Sequence, residues 1–263
     1  MKIIVCVKQV PGTSQVEVDP VTGVLRRDKV AGKLNPYDLF ALETAFSLVE
    51  QYGGTVETVS MGPPQARDTL LETLWMGADG ALLLSDRKFG GADVAATSYA
   101  LSLGIRSLGD YDLVLCGKQT TDGDTAQVGP ELAERLGIEH AANVVGVKPD
   151  GAHTLLVKLD LDDCFQTQRM DMPCLLTVDK EVNTPRLPSY RRKMTLDAEA
   201  KLRVLSAADC PEADEEKLGL KGSPTQVERI FPPEKKAERQ VLKGTTDGLT
   251  DRFLDLLKER KFI

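Results

Sequence analysis

Histidine is nearly missing from this chain of 263 residues: only His140 and His153 occur, which argues against a zinc centre or a histidine-based triad. Long apolar runs are missing as well. No stretch approaches the roughly 20 residues a membrane-spanning helix needs, and the N-terminus runs straight into a strand-like segment without a signal-peptide pattern. A cytoplasmic protein is therefore expected. There is no cationic excess either, and a formal net charge of -7 argues against a general nucleic-acid or anionic-membrane binder. The five cysteines, Cys6, Cys116, Cys164, Cys174 and Cys210, lack paired metal-type spacing. They read as small core residues of a reducing compartment rather than as disulfides. No paired-carboxylate, nucleophile-base or metal constellation stands out, so no catalytic residue and no metal ligand is assigned.

What is present is an alternation. Lys2 to Lys8 is apolar and β-branched, a first strand. Gln9 to Lys33, with Pro11-Gly12, Asp19-Pro20 and Thr22-Gly23, reads as a small excursion or hairpin. Asn35 is placed to N-cap a helix, with Pro36 at its first position and Asp38 in its first turn; Ala41, Leu42, Ala45, Phe46 and Val49 give the apolar stripe, and Gly53-Gly54 ends it. Strands follow at Thr55 to Ser60, Ala81 to Leu84 and Asp112 to Cys116, separated by helices ending at Trp75 and spanning Ala92 to Leu108. This order predicts an α/β, doubly wound, mostly parallel sheet with right-handed crossovers. Ligands of such sheets sit beyond the carboxyl ends of the strands, here Cys6 to Lys8, Ser60 to Gly62, Ser85-Asp86 and Gly117 to Gln119.

The fourth of these ends opens the stretch Gly117 to Pro130. It matches neither the Walker A spacing nor G-x-G-x-x-G, but it is a strand, a small-residue loop and a helix start. Asp124 is placed to N-cap a helix over Thr125 to Leu136, with Gln127 completing a capping box. Such a junction aims unpaired backbone N–H groups and a helix dipole at one spot and favours phosphate; a plain structural turn is the alternative. A nucleotide crevice without acid–base machinery points to a cofactor that does the chemistry itself. Beyond it, Ala142 to Val147, Thr154 to Leu159, Cys164 to Arg169 and Cys174 to Val178 read as short strands with antiparallel pairing. After Asp179, prolines and charge are dense until Leu249 to Phe262, an amphipathic helix whose apolar stripe needs a partner subunit.

Lys118-Gln119 and Gln127-Val128-Gly129 resemble the signature loop of the electron transfer flavoprotein (ETF) beta subunit. The resemblance extends through Val5 to Pro11, Asn35-Pro36-Tyr37-Asp38, Ser60-Met61-Gly62-Pro63, Thr184-Pro185-Arg186-Leu187-Pro188 and Ser223-Pro224-Thr225. It implies an adenine nucleotide alpha hydrolase-like sheet with added antiparallel strands and an extended C-terminal arm. The divisions it suggests are a nucleotide-binding domain over 1–180, a partner-recognition region over 181–200 and an arm over 201–263 that packs on the alpha subunit. A stress-protein or hydrolase reading would want a serine-rich loop after the first strand, where Lys8-Gln9-Val10-Pro11 stands instead.

Carried over by motif, the cofactor contacts are Cys6, Asn35, Pro36, Tyr37, Asp38, Met61, Gly117, Lys118, Gln119, Thr120, Thr121, Asp122, Gly123, Asp124, Thr125, Ala126, Gln127 and Val128. Tyr37 has the alternative of facing the alpha-subunit flavin. The resemblance implies either FAD or AMP in the crevice. AMP belongs to ETFs that shuttle electrons from dehydrogenases. FAD belongs to bifurcating ETFs of anaerobes, which take a hydride from NADH and divide the electrons between ferredoxin or flavodoxin and an acyl-CoA or related dehydrogenase. The loop with Gly123, where AMP-type relatives can carry a bulkier acidic residue, and Asp86-Arg87-Lys88-Phe89 look closer to the bifurcating group. Leu187, Arg191 and Arg192 match the family's dehydrogenase-docking loop.

Overall fold

The computed structural model describes residues 1–12, 32–228 and 241–263, which fall into two units, Met1–Glu228 and Arg229–Ile263. The first unit opens with β1 (Lys2–Cys6), followed by the short antiparallel pair β2 (Gln9–Pro11) and β3 (Gly32–Leu34). These are the two ends of the expected excursion; the turn signals between them, including Asp19-Pro20 and Thr22-Gly23, lie outside the described residues. Next come α1 (Pro36–Tyr52), β4 (Thr55–Met61), α2 (Arg67–Met76), β5 (Gly80–Leu84), α3 (Val94–Ser107), β6 (Leu113–Gly117) and α4 (Val128–Leu136). Then follow β7 (Glu139–Pro149), β8 (Thr154–Leu161), β9 (Cys164–Asp171), β10 (Cys174–Val178), α5 (Tyr190–Thr195) and β11 (Leu202–Leu205). Residues 201–228 belong to this first unit, where β11 forms one edge of the sheet.

Apart from the β2–β3 pair, the described strands form one nine-stranded sheet in the order β11-β5-β4-β1-β6-β10-β7-β8-β9. Every pairing from β11 to β7 is parallel, and β8 and β9 are added antiparallel. The expectation for Cys174 to Val178 is corrected here: β10 sits between β6 and β7, parallel to both. Its five residues are all buried, as a strand covered on both faces must be.

Alternation along β1 builds two cores. Ile3 and Val5 join Leu113 and Leu115 under α1 and α2, through Ala41, Leu42, Ala45, Phe46, Leu70 and Leu74. Ile4 and Cys6 join Val114 and Cys116 under α3 and α4, through Tyr99, Leu101, Leu103, Leu132 and Ala133. Burial of each large aliphatic side chain contributes about 1.5–3 kcal/mol. Asp93 caps α3 by accepting from Ala96 N at 3.0 Å.

The second unit contributes α6 (Thr246–Glu259). Taken by itself it has an apolar side, and Phe253, Leu254 and Phe262 are exposed. Pro232 and Pro233 lie outside the described residues. No described helix is long and apolar enough to cross a membrane.

Candidate functional site

From β1 the chain builds outward through β4 to β5 with α1 and α2 on one face, then returns through α3, on the other face, to β6 on the far side of β1. The sheet therefore changes direction between β1 and β6. Carboxyl ends at such a switch point diverge into a crevice, and here it is flanked by Lys8 after β1 and by the loop after β6.

The N-terminus of α1 closes the bottom of this crevice. Asn35 occupies the cap position, but its side chain makes no cap hydrogen bond. Instead, Asn35 Nδ2 donates to Asp38 Oδ1 at 2.8 Å and to Gln119 O at 2.9 Å, while its Oδ1 accepts from Thr121 N at 3.3 Å. The expected capping role is replaced by a clamp on the β6 loop. Asp38 does not simply face the helix dipole in solvent; it is 4% exposed and accepts from Lys8 N at 2.7 Å. Asn35 and Asp38 thus tie the ends of β1 and β6 together. Gly117 must be glycine for this approach, because a Cβ there would lie 2.5 Å from Asp38 Oδ1 and 2.7 Å from the Tyr37 carbonyl carbon.

Burial is the strongest influence on Asp38 and pushes its carboxyl from 3.8 up to about 7, against hydrogen bonds from Asn35, Lys8 and Gly117 and the charge of Lys8. The folded chain thus holds a proton that the unfolded chain releases. The stability from this group is complete below the unfolded value and is lost as pH rises through the folded one. Urea melts between about pH 5.5 and pH 7 should show a loss of about 2 kcal/mol in the wild type that Asp38→Asn lacks; equal slopes in the two proteins would contradict the assignment.

Asp124 does not cap a helix over Thr125 to Leu136, and the Asp124–Gln127 capping box does not form. Helix α4 starts at Val128, with Gln127 in the cap position and no side-chain cap bond. Asp124 and Ala126 adopt left-handed φ values of 54° and 55°, which a helix cannot contain. The Asp124 carboxylate accepts from Gln119 Nε2 at 2.6 Å, and the same amide donates to Tyr37 OH at 3.3 Å. Left-handed Ala126 followed by right-handed Gln127 turns successive N–H groups to one side, the conformation of an anion-binding concavity. Among the described residues, the N–H groups of Ala126, Gln127 and Val128 have no backbone acceptor. Strained φ at non-glycine residues is concentrated where function holds it. The residues therefore fit a phosphate-bearing cofactor: small side chains, free donors and a helix N-terminus.

Two ion pairs that sequence reasoning missed frame the loop. Lys118 Nζ meets Asp179 Oδ2 at 2.8 Å, and Lys118 N donates to Val178 O, fixing the loop's start to the end of β10. Lys8 Nζ meets both oxygens of Asp122 at 2.8 Å. The signal available in the sequence is one of position: Lys118 directly follows β6, and Lys8 stands two residues beyond the end of β1.

Cys6 and Met61 end β1 and β4 on the α3/α4 side. Cys6 stands beside Cys116 in the paired strands, and the neighbouring Cys6 thiol together with burial raises the Cys116 thiol well above its ordinary value. All five cysteines are free; four are buried, whereas Cys164, expected in the core, is exposed on the edge strand β9. The Ser223-Pro224-Thr225 motif closes on the cap of α3. Asp93 N donates to Ser223 Oγ at 2.8 Å, and Asp93 Oδ2 accepts from Thr225 N at 2.9 Å. No group of His, Cys, Asp or Glu among the described residues is arranged to hold a metal ion.

The segment before α5 is anchored on both sides of Leu187. Arg186 pairs with Glu43 through Nε at 2.8 Å and Nη2 at 2.9 Å, reaches Glu50 at 2.6 Å, and stacks 5.0 Å from the Phe46 ring. Arg192 donates to Leu74 O and Ala78 O at the end of α2, so its guanidinium serves the fold, while Arg191 stays exposed. Between these anchors Leu187 is 86% exposed, and Tyr190 and Met194 are exposed on the following helix.

Residues 22–209 match the family model described as electron transfer flavoprotein domain. An electron transfer flavoprotein subunit beta of Clostridium acetobutylicum is 44% identical over the full length of both chains. The caffeyl-CoA reductase-Etf complex subunit CarD of Acetobacterium woodii is 43% identical, again over the full length of both. The protein FixA of Azorhizobium caulinodans is 42% identical over 92% of this chain and 88% of its own.

Proposed function

This chain belongs to the electron transfer flavoprotein beta-subunit family, and from that premise we propose that its crevice holds FAD and that the chain is the NADH-oxidising half of a cytoplasmic, bifurcating ETF heterodimer. An ETF beta subunit transfers electrons together with an alpha subunit. FAD in the crevice would accept a hydride, two electrons and a proton, from NADH. One electron would pass through the alpha-subunit FAD to an acyl-CoA or related dehydrogenase and the other to ferredoxin or flavodoxin.

Gly123 carries the choice of FAD. Its φ is not left-handed, and an added Cβ would stand 3.6 Å from Thr120 Oγ1, an ordinary contact. The chain itself does not require glycine there, and the reading this supports is that the missing side chain leaves room for a ligand larger than AMP. The Acetobacterium relative is named as a subunit of a caffeyl-CoA reductase–Etf complex, which supports an acyl-CoA-type oxidoreductase as the partner. AMP in the crevice, in a shuttle carrying electrons from dehydrogenases, is the alternative.

In this reading the chain's residues have separate tasks. The N–H groups of Ala126 to Val128 receive phosphate, Asn35 and Asp38 hold the loop in register with β1, and Gln119 fixes Tyr37 and Asp124. Cys6, Pro36, Met61 and the remaining residues from Gly117 to Thr125 wall the crevice. The proposed organisation keeps 1–180 as the nucleotide domain and 181–200 as the docking region; of the arm over 201–263, the part to residue 228 joins the sheet through β11, and the apolar side of α6 is proposed to be covered by the alpha subunit.

Leu187, projected by the Arg186 and Arg192 anchors, is the proposed dehydrogenase contact, with Arg191 steering the approach. Leu187→Ala should reduce electron transfer to the dehydrogenase about 10-fold or more, the size of a lost hot spot, with bound flavin unchanged; loss of flavin in proportion would contradict docking. For the reaction, NADH should reduce ferredoxin or flavodoxin only while the dehydrogenase and its acyl-CoA acceptor are turning over. Uncoupled reduction, or none, counts against bifurcation.

A further inference from the structure

Lys8 is absent from every contact that the family motifs supply, yet it stands at the switch point, two residues beyond the end of β1 and next to buried Val7. Its ammonium is chelated by Asp122, which belongs to the same loop that carries the converging N–H groups of Ala126 to Val128. We propose that Lys8 is a phosphate-contacting residue of the crevice and that Asp122 is its exchangeable counter-ion, displaced by the phosphate of the bound nucleotide. The inference rests on the crevice being a nucleotide site.

Three observations favour exchange over a fixed strut. The pair is partly exposed, 44% at Lys8 and 22% at Asp122, and exposed pairs bind weakly. Asp122 keeps a partner without Lys8, because Gly123 N donates to its Oδ1 at 2.8 Å. The loop is already fixed by Asn35 at Gln119 and Thr121 and by Lys118 at Asp179, so it does not depend on Lys8 for its position.

The chemistry of the exchange is one of charge. A carboxylate presents two oxygens and one negative charge to the ammonium; the pyrophosphate of FAD presents non-bridging oxygens on two neighbouring phosphorus atoms, one negative charge on each, and adds acceptors for the backbone donors nearby. Burial alone would raise the Asp122 carboxyl, but the hydrogen bond and charge of Lys8 bring it below its ordinary value, so Asp122 is anionic at neutral pH. It therefore repels phosphate as long as it faces the crevice, and a ligand without phosphate gains nothing by moving it.

The test is calorimetry on the heterodimer with its alpha partner, freed of bound nucleotide, using AMP and adenosine as probes. Lys8→Met should weaken AMP about 10-fold or more, the loss expected for one charge-assisted contact, and leave adenosine unchanged. Asp122→Asn should tighten AMP several-fold, again without moving adenosine. Equal weakening of AMP and adenosine by Lys8→Met would overturn the proposal and make Lys8 a loop strut, as would unchanged AMP binding. A wild-type heterodimer that binds neither probe would overturn the nucleotide reading with it, whereas AMP binding insensitive to Lys8 overturns this inference alone. Melting temperature recorded for each variant separates loss of contact from loss of fold.

Discussion

Gly117→Ala is expected to strip the nucleotide from the crevice while leaving the sheet assembled. The added methyl would meet Asp38 Oδ1 at 2.5 Å and the Tyr37 backbone at 2.7 Å. Neither neighbour is the far end of a flexible chain: one is the buried carboxyl of Asp38 held by the ends of two strands, and the other is the first turn of α1. The end of β6 and the helix start must move apart. Overpacking of this kind costs about 1–3 kcal/mol, and the displaced segment is the root of the nucleotide loop. Purified Gly117→Ala heterodimer should therefore retain the alpha-subunit flavin and lose at least about nine-tenths of crevice occupancy, a tenfold change being about 1.4 kcal/mol. Full occupancy would show that the loop is not positioned by its contact with α1.

Asn35→Ala is the second substitution with a large expected effect. Asn35 has no exposed surface and serves Asp38, Gln119 and Thr121 at once. Truncation removes the Asn35 donor from Asp38 and orphans the Gln119 carbonyl in a part-buried place, each group costing about 1–3 kcal/mol when left unsatisfied. A loss of about 3 kcal/mol in urea melts is expected, together with weaker nucleotide binding, since Thr121 N–H loses its acceptor. Were Asn35 only a helix cap, Ser in its place would restore stability. Because its partners lie on another strand's loop, Asn35→Ser should be nearly as damaging as Asn35→Ala.

That contrast marks what the sequence could and could not reveal. The parallel core was legible in Lys2 to Val7 and Leu113 to Cys116, where apolar residues fill both faces. The placement of Asn35 before Pro36 correctly located the start of α1. The task of the Asn35 side chain was hidden, because its partners Gln119 and Thr121 are distant in the chain and a capping pattern is local. Asp124 misled for the same reason: an acidic residue three positions before Gln127 has the spacing of a capping box, but left-handed φ at Asp124 and Ala126 moves the helix to Val128.

Strand β10 did carry its own signal. Cys174 to Val178 is apolar except for Thr177, unlike the alternating burial of β8. That pattern is the one of a strand buried on both faces, and it sets β10 apart from the antiparallel β8 and β9. Nothing in the sequence paired Lys8 with Asp122, because only the switch of strand order brings the two residues together.

The most direct test of the account is a count of cofactors. The chain should be co-expressed with its alpha subunit, the heterodimer denatured, and the released FAD and AMP quantified by chromatography. Two FAD per heterodimer and no AMP are expected, one FAD from this crevice and one from the alpha subunit. One FAD with one AMP would contradict it and leave this chain holding a structural nucleotide in a single-flavin shuttle.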